Sequence, residues 1–198
     1  MEKGIAFFDF DGTITSKDTF LDFIIYSRGK IYFLFGIVYL FPFILLFFLK
    51  LYSNHKLKEK FFKFYLASIT PIDLEKLGES YSLNKLPNII FKDATKKIEW
   101  HKKNHHRVII LTASSPIWLS KWCETNEVEL IGTQFEIVNG KYTGNIFGSN
   151  CYGYEKYLIA KKIITNDKSI KTFGYGDSKS DNYFLDLTTN KFYKCFTK

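Results

Sequence analysis

At 198 residues the chain can bury one sizeable hydrophobic core with a small elaboration, but not two full-sized domains. Its net charge of +8 and pI near 9.2 favour anionic partners: phosphorylated metabolites, acidic lipid headgroups or nucleic acid. Three cysteines, Cys123, Cys151 and Cys195, share no C-x-x-C spacing, so neither a disulfide framework nor a zinc site is indicated, and reduced thiols in a cytosolic compartment are expected.

The opening MEKGIAFFDFDG has an apolar run too short for a signal peptide and acidic residues directly after it, so no signal peptide is expected. Ile5 to Phe8 reads as a buried parallel strand feeding the Gly-containing loop Asp-Phe-Asp-Gly-Thr. From Asp18 to about Leu86 the chain reads as wholly helical. Asp18 can cap a helix through Tyr26, and an uncharged run from Ile31 to Leu49 follows. NHKLKEKFFKFYLASI comes next, then a segment begun by Thr70-Pro71 with Asp73 and Glu75 in its first turn. Pro87 ends this block. Asn88 to His101 is amphipathic, with Ile90, Phe91, Ala94 and Ile98 on one face. RVIILTAS reads as a second buried strand, and Pro116 starts a helix. Asn139-Gly140 within TQFEIVNGKYTGNIFG signals a hairpin. Tyr154 to Ile164 is a helix, IKTFGYGDS a third buried strand, and KFYKCF an edge strand. Strands alternating with helices predict a three-layer α/β fold with a parallel sheet. The helical block, residues 18–86, interrupts it as an insertion after the first strand, leaving 1–17 and 87–198 as the core.

In such sheets ligands collect outside the carboxyl ends of the strands. Asp9 and Asp11, Thr112 and Ser114, and Asp177 with Asp181 stand there. Four carboxylates in one crevice resist joint ionisation without a cation. Mg²⁺ suits the need, since it takes oxygen ligands and completes its shell with water and substrate phosphate. One carboxylate can then attack phosphorus to give an aspartyl-phosphate. A second, two residues on, can protonate the leaving oxygen and afterwards activate water. Taken singly, D-x-D and G-D-S-x-x-D are ordinary turn chemistry. Their order along the chain, each after a buried strand, with Lys156 on a separate helix before the last, is what carries information.

DFDGT, VIILTAS, GYEK and GDSKSD together resemble the haloacid dehalogenase superfamily, in its phosphoserine-phosphatase-like branch. The resemblance implies a Rossmann-like core, and Asp9 as nucleophile and Mg²⁺ ligand. Asp11 would be the general acid/base, giving its backbone carbonyl to the metal. Thr112 and Ser114 would meet the phosphoryl group, and Lys156 would neutralise it and Asp9. Asp177 would ligate Mg²⁺, while Asp181 would hold the metal's water or Lys156. The aspartate at position 11 implies phosphate chemistry rather than dehalogenation, and Phe-Asp after the nucleophile separates the chain from the ATPase members, which leaves a phosphomonoesterase. Asp18 stands where phosphoserine phosphatases carry an acidic residue toward the substrate amine, and it reads equally as a helix cap. Ala113-Ser114, Ser180 and the scarcity of arginines (only Arg28 and Arg107) depart from that branch. A Lys in place of a cap arginine would lack its bidentate geometry.

The run Ile31 to Leu49 has the length and composition of a transmembrane helix, with Arg28, Lys30 and Lys50 at its ends. A single span would put Asp9 and Thr112 on opposite sides of a bilayer. Pro42 predicts a kink or break, giving two halves of about ten residues that cannot cross a core roughly 30 Å thick. Three arrangements remain open: a hairpin dipping into one leaflet, a self-packed greasy cap, or a homodimer contact. Lys56, Lys58 and Lys60 beside Phe61, Phe62 and Phe64 suit an anionic membrane, or the solvated face of an ordinary cap helix. The segment and GDSKSDN are similar to the phosphatidylglycerophosphatase C type of haloacid dehalogenase enzyme. That similarity implies a lipid phosphate substrate at the inner face of the cytoplasmic membrane; a soluble phosphorylated metabolite in the cytoplasm is the alternative. No nucleic-acid partner is expected, for want of a basic repeat or reading motif. His101, His105 and His106 in HKKNHH offer a metal-binding alternative, but at the end of an exposed helix they read first as solvated surface.

Overall fold

The computed structural model describes residues 4–164 and 170–196. In chain order the elements are β1 (Gly4–Phe8), α1 (Thr19–Arg28), α2 (Lys30–Phe48), α3 (Asn54–Tyr65), α4 (Pro71–Asn84) and a 3₁₀ turn (Leu86–Ile89). Then come α5 (Lys92–Lys103), β2 (Arg107–Thr112), α6 (Pro116–Thr125), β3 (Glu129–Gly132), β4 (Gln134–Val138), β5 (Lys141–Phe147) and α7 (Tyr154–Ile163). β6 (Lys171–Gly176), a short 3₁₀ turn (Lys179–Asp181), α8 (Asn182–Leu185) and β7 (Asn190–Tyr193) complete the fold.

Five strands form one parallel sheet in the order β3-β2-β1-β6-β7. β1, β2 and β6 sit in its middle because their side chains are apolar on both faces, as parallel strands covered on two sides require. Ala6, Phe8, Val108 and Ile110 face α5 and α6; Ile5, Phe7, Ile109 and Leu111 face α7 and α8. This alternation makes the three layers. The chain runs outward from β1 through β2 to β3, then returns to β6 on the other side of β1, so the switch of direction lies between β1 and β6, where a ligand crevice is expected.

The four helices α1–α4 leave the sheet after β1 and return before α5. Their two connections run side by side: Ser16 N donates to Ile89 O at 2.8 Å and Phe91 N to Ile14 O at 2.8 Å. Thr70 caps α4 through the Asp73 amide, and Pro71 takes the first turn, where no amide hydrogen is needed. α4 lies so close to α6 that a Cβ on Gly78 would collide with the Ile117 carbonyl, and Ser82 donates to Trp118 O at 2.8 Å. Phe20 and Phe23 of α1 stack on Trp118. One hydrophobic cluster therefore continues from the sheet into these helices. The hairpin β4–β5 turns at Asn139-Gly140, both with positive φ, and pairs apart from the main sheet. It leans on α3, with the Phe135 ring stacked on Phe62 and Ile146 N bonded to Glu59 at 2.9 Å.

The break at Pro42 does not occur. α2 is one continuous helix of 19 residues, about 28 Å at 1.5 Å per residue, so the pair of half-helices is overturned. Pro42 withholds only the hydrogen that would bond the Val38 carbonyl. On either side of it, Phe33, Gly36, Ile37, Leu40, Ile44 and Phe47 form one buried or half-buried face. Tyr65 Oη donates to Phe33 O at 2.6 Å across the α2–α3 seam, and Gly36 has no room for a Cβ beneath that phenol. Among the described residues α2 alone is long and apolar enough to cross a membrane, by length and composition.

Two further expectations are corrected. His101 is fully buried, not solvated: its Nδ1 meets His106 Nδ1 at 2.8 Å and its Nε2 meets Tyr175 Oη at 2.9 Å. Lys58 does not sit on a solvated lysine face. It turns into the core, because a hydrogen-bonded slot awaits it there.

Candidate active site

Asp9 follows the last residue of β1, and its amide continues the ladder to Tyr175 O at 2.9 Å, which fixes where the side chain emerges. Lys156, in the first turn of α7, reaches across to it. Lys156 Nζ donates to Asp9 Oδ1 at 2.5 Å and to Asp181 Oδ1 at 2.8 Å, and all three side chains are buried. Asp181 is saturated by the loop it belongs to: Oδ2 accepts from Ser178 Oγ at 2.6 Å, Ser178 N at 3.0 Å and Asp177 N at 3.3 Å. It therefore locks the turn after β6 and aims Lys156. Burial works against charge on Asp181, but Lys156 and Ser178 outweigh it and hold the carboxyl below its usual range. Burial likewise opposes charge on Lys156; Asp9 and Asp181 outweigh it and raise the ammonium above its ordinary value. Lys156 divides its charge between two carboxylates, so it does not by itself keep Asp9 ionised. Burial raises Asp9 to about 8 against the pull of Lys156.

That imbalance is what a cation would correct. Asp9, Asp177 and Asp181 bring carboxylate oxygens within 4.8 Å of one another. The donors are all hard oxygens, which fits Mg²⁺. Thr13 ties the loops together, its hydroxyl lying 3.1 Å from Asp177 Oδ1 and 3.4 Å from Asp9 Oδ2. Gly12 has a φ of +82°, and a Cβ there would collide with the Asp177 carboxylate. Only a residue without a side chain lets the first loop and the loop after β6 approach so closely.

Asp11 points the other way, toward the inserted helices. Thr19 N donates to Asp11 Oδ1 at 2.6 Å and Ser114 Oγ to Oδ2 at 2.7 Å. Thr19 Oγ1 and Ser114 Oγ are 2.9 Å apart, and Trp118 Nε1 donates to Thr19 Oγ1 at 3.2 Å, so each partner is itself held. Thr112, fully buried at the end of β2, accepts from Ser114 N at 2.9 Å and keeps its own hydroxyl proton for an incoming oxygen.

A cavity of about 320 Å³ opens between α1, α2 and α3, lined by Asp18, Asn54 and Lys58 and by apolar side chains including Ile37, Ile44 and Phe61. Asp18 caps α1, accepting from Leu21 N at 2.9 Å. Lys58 donates to Ala113 O at 2.7 Å and Asn150 Oδ1 at 3.0 Å; burial lowers it to about 8, opposed by Asp18 and Asp11. Two of the lining residues, Asp18 and Lys58, thus lie near enough to Asp11 for its charge to act on both. Lys58 and Thr13 escape a reading of the sequence. Thr13 was visible as the last letter of DFDGT, whereas nothing in the spacing separates Lys58 from its surface neighbours.

The profile of the haloacid dehalogenase-like hydrolases matches residues 6–186. Protein CicA of Caulobacter vibrioides is 26% identical over 197 residues, covering 98% of this chain and 87% of that protein. A solved protein of unknown function from Bordetella pertussis Tohama I superposes with a TM-score of 0.81 at 18% identity, over 96% of this chain and 89% of its own. A phosphoserine phosphatase solved as a phospho-aspartyl intermediate analogue gives 0.64 at 18% identity, over 96% and 86%. The solved structures share the Rossmann-like fold, and with a family match that runs almost from end to end, the chain belongs to the haloacid dehalogenase-like hydrolases.

Proposed function

We propose that the protein is a Mg²⁺-dependent phosphomonoesterase that works through an aspartyl-phosphate on Asp9 and takes an amphiphilic, lipid-type phosphate ester. The observation that supports the chemistry is the division of labour between two carboxylates two residues apart. Asp9 meets Lys156 and the acidic cluster, while Asp11 is held by Thr19 and Ser114 on the side of the helices after β1. Asp9 attacks phosphorus as the ester bond to the alcohol breaks. Asp11 supplies the proton that the departing alkoxide takes up, then removes one from the water that attacks the phosphorus of the aspartyl-phosphate, releasing phosphate and restoring Asp9. Thr112 donates to a phosphoryl oxygen, and Lys156 counters the phosphoryl charge. Asp9, Asp177 and the Asp11 backbone carbonyl would hold Mg²⁺, which when bound supplies further charge neutralisation.

The substrate reading rests on this cavity, whose lining residues Asp18 and Lys58 feel the charge of Asp11, the residue that serves the leaving alcohol. Its walls from α2 and α3 are apolar, with three polar side chains among them, the lining an amphiphile needs. A second reading has its own support: Asp18 and Lys58 are a pair of opposite charges suited to the ammonium and carboxylate of a small phosphorylated amino acid. A panel of phosphatidylglycerophosphate, phosphatidic acid, phosphoserine and sugar phosphates, ranked by kcat/KM, decides between them. Preference for the two lipids supports the first reading. Preference for phosphoserine replaces it with the second.

A further inference from the structure

We infer that the outer face of α2 is a docking surface for an anionic lipid bilayer, and that the helix lies along the membrane rather than across it. By sequence α2 is apolar all round, so its amphipathic character comes only from what it packs against. Its inner face is taken by α3 and α1. Its outer face, at positions one helical stripe apart, stays open: Ile31 is 87% exposed, Leu34 62%, Val38 75% and Phe48 75%, with Phe35 and Leu45 between them. A continuous apolar stripe of this length on one side of a helix is the pattern of an interfacial anchor. α2 is tied into the fold at its start, through Gly29 to α1 and the Tyr65–Phe33 bond to α3, and farther along by the Tyr39 ring stacked on Phe64 and by Lys60 over the Phe43 ring at 5.0 Å, so the helix cannot stand upright in a bilayer alone.

Charge selects the occupant. From position 28 to 63 the chain carries seven basic residues and one acidic residue, Glu59. Lys30 and Lys50 flank the two ends of the helix and are exposed, as are Lys56 and Lys60 on α3. A two-fold contact with a second copy would set this basic rim against itself, because an isologous interface presents the same patch twice. Anionic headgroups would neutralise it. Phe48 belongs both to the open face and to the cavity lining, so the cavity reaches the surface that meets the lipid.

The test is flotation of the full-length protein with phosphatidylcholine vesicles, with and without phosphatidylglycerol. Wild type should float with the anionic vesicles and be released by high salt from weakly charged ones. Replacing Leu34, Val38 and Leu45 together by Ser, at exposed positions outside the cavity lining, should weaken flotation roughly tenfold or more. Hydrolysis of a soluble aryl phosphate by that variant should equal wild type, which shows that it is folded. Asp9→Asn should float like wild type, so vesicle binding stands or falls separately from the phosphatase reading. Wild type left in the soluble fraction, or a triple variant that floats equally well, overturns the inference. So does a wild-type dimer in sedimentation that the triple variant loses, since the occupant is then a second copy.

Discussion

Lys58 Nζ donates to the Ala113 carbonyl at 2.7 Å, joining α3 to the loop that follows β2. A second bond, to Asn150 Oδ1, reaches the segment before α7. One ammonium thus clips the inserted helices to two of the loops that build the site. Lys58→Met keeps the aliphatic stem but strands the Ala113 carbonyl and leaves Asn150 Oδ1 with Thr133 Oγ1 alone, which costs about 1–3 kcal/mol. An unfolding free energy lower by that amount in urea titration, with kcat/KM reduced at least roughly tenfold because the cavity loses its cation, is expected. Unchanged stability would show that the clip carries no weight.

Asp11→Asn should leave the fold intact, since an amide oxygen still accepts from Thr19 N or Ser114 Oγ. The first step, read as kcat/KM, should slow about 10²–10⁴-fold for an alkyl phosphate, whose alkoxide needs a proton. A nitrophenyl ester, whose leaving group does not, should suffer much less. Equal losses on both substrates would remove Asp11 from the role of proton donor.

Gly12→Ala places a methyl group against the Asp177 carboxylate at a backbone φ of +82°. Asp177 must then retreat from Asp9. The Mg²⁺ concentration for half-maximal activity should rise at least roughly tenfold, as when a positioning contact around metal ligands is lost. A titration that superimposes on wild type would disconnect Gly12 and Asp177 from the metal.

The buried histidine makes a prediction about acid stability. Burial first, then His106 and Lys97, lowers His101 to about 3, well below an ordinary imidazole. Between that value and about 6.5 the unfolded chain binds a proton that the folded one refuses, so stability is lost as pH falls through this window. From pH 7 to pH 5 the contribution is about 1–2 kcal/mol at the usual 1.36 kcal/mol per pKa unit. His101→Gln can still bond Tyr175 but cannot charge. Urea midpoints at the two pH values should lie closer together in that variant, and an unaltered gap would assign the acid sensitivity elsewhere.

Much of this was legible in the residues because the signals were redundant. β1, β2 and β6 are unbroken apolar runs, each followed by the acidic or hydroxyl residues that the crevice collects. β3 is not legible in the sequence because Glu-Leu-Ile-Gly is short, half-exposed and bounded by no turn signal. Lys58 and His101 read as surface because helical periodicity ranks positions by hydrophobicity, and a polar residue that enters the core to meet a partner breaks that ranking. Pro42 reads as a kink or break because local propensity says so, yet the packed faces on both sides of it keep α2 one continuous helix.

The most direct test of the account is chemical trapping at Asp9. The enzyme is mixed with Mg²⁺ and a phosphate ester, quenched in acid during turnover and reduced with borohydride, which converts an acyl phosphate on aspartate to homoserine. Peptide mass spectrometry should find homoserine at position 9 only when ester and Mg²⁺ were both present, and never in Asp9→Asn. Phosphate release at full rate with no modification at position 9, or modification at another carboxylate, would contradict it.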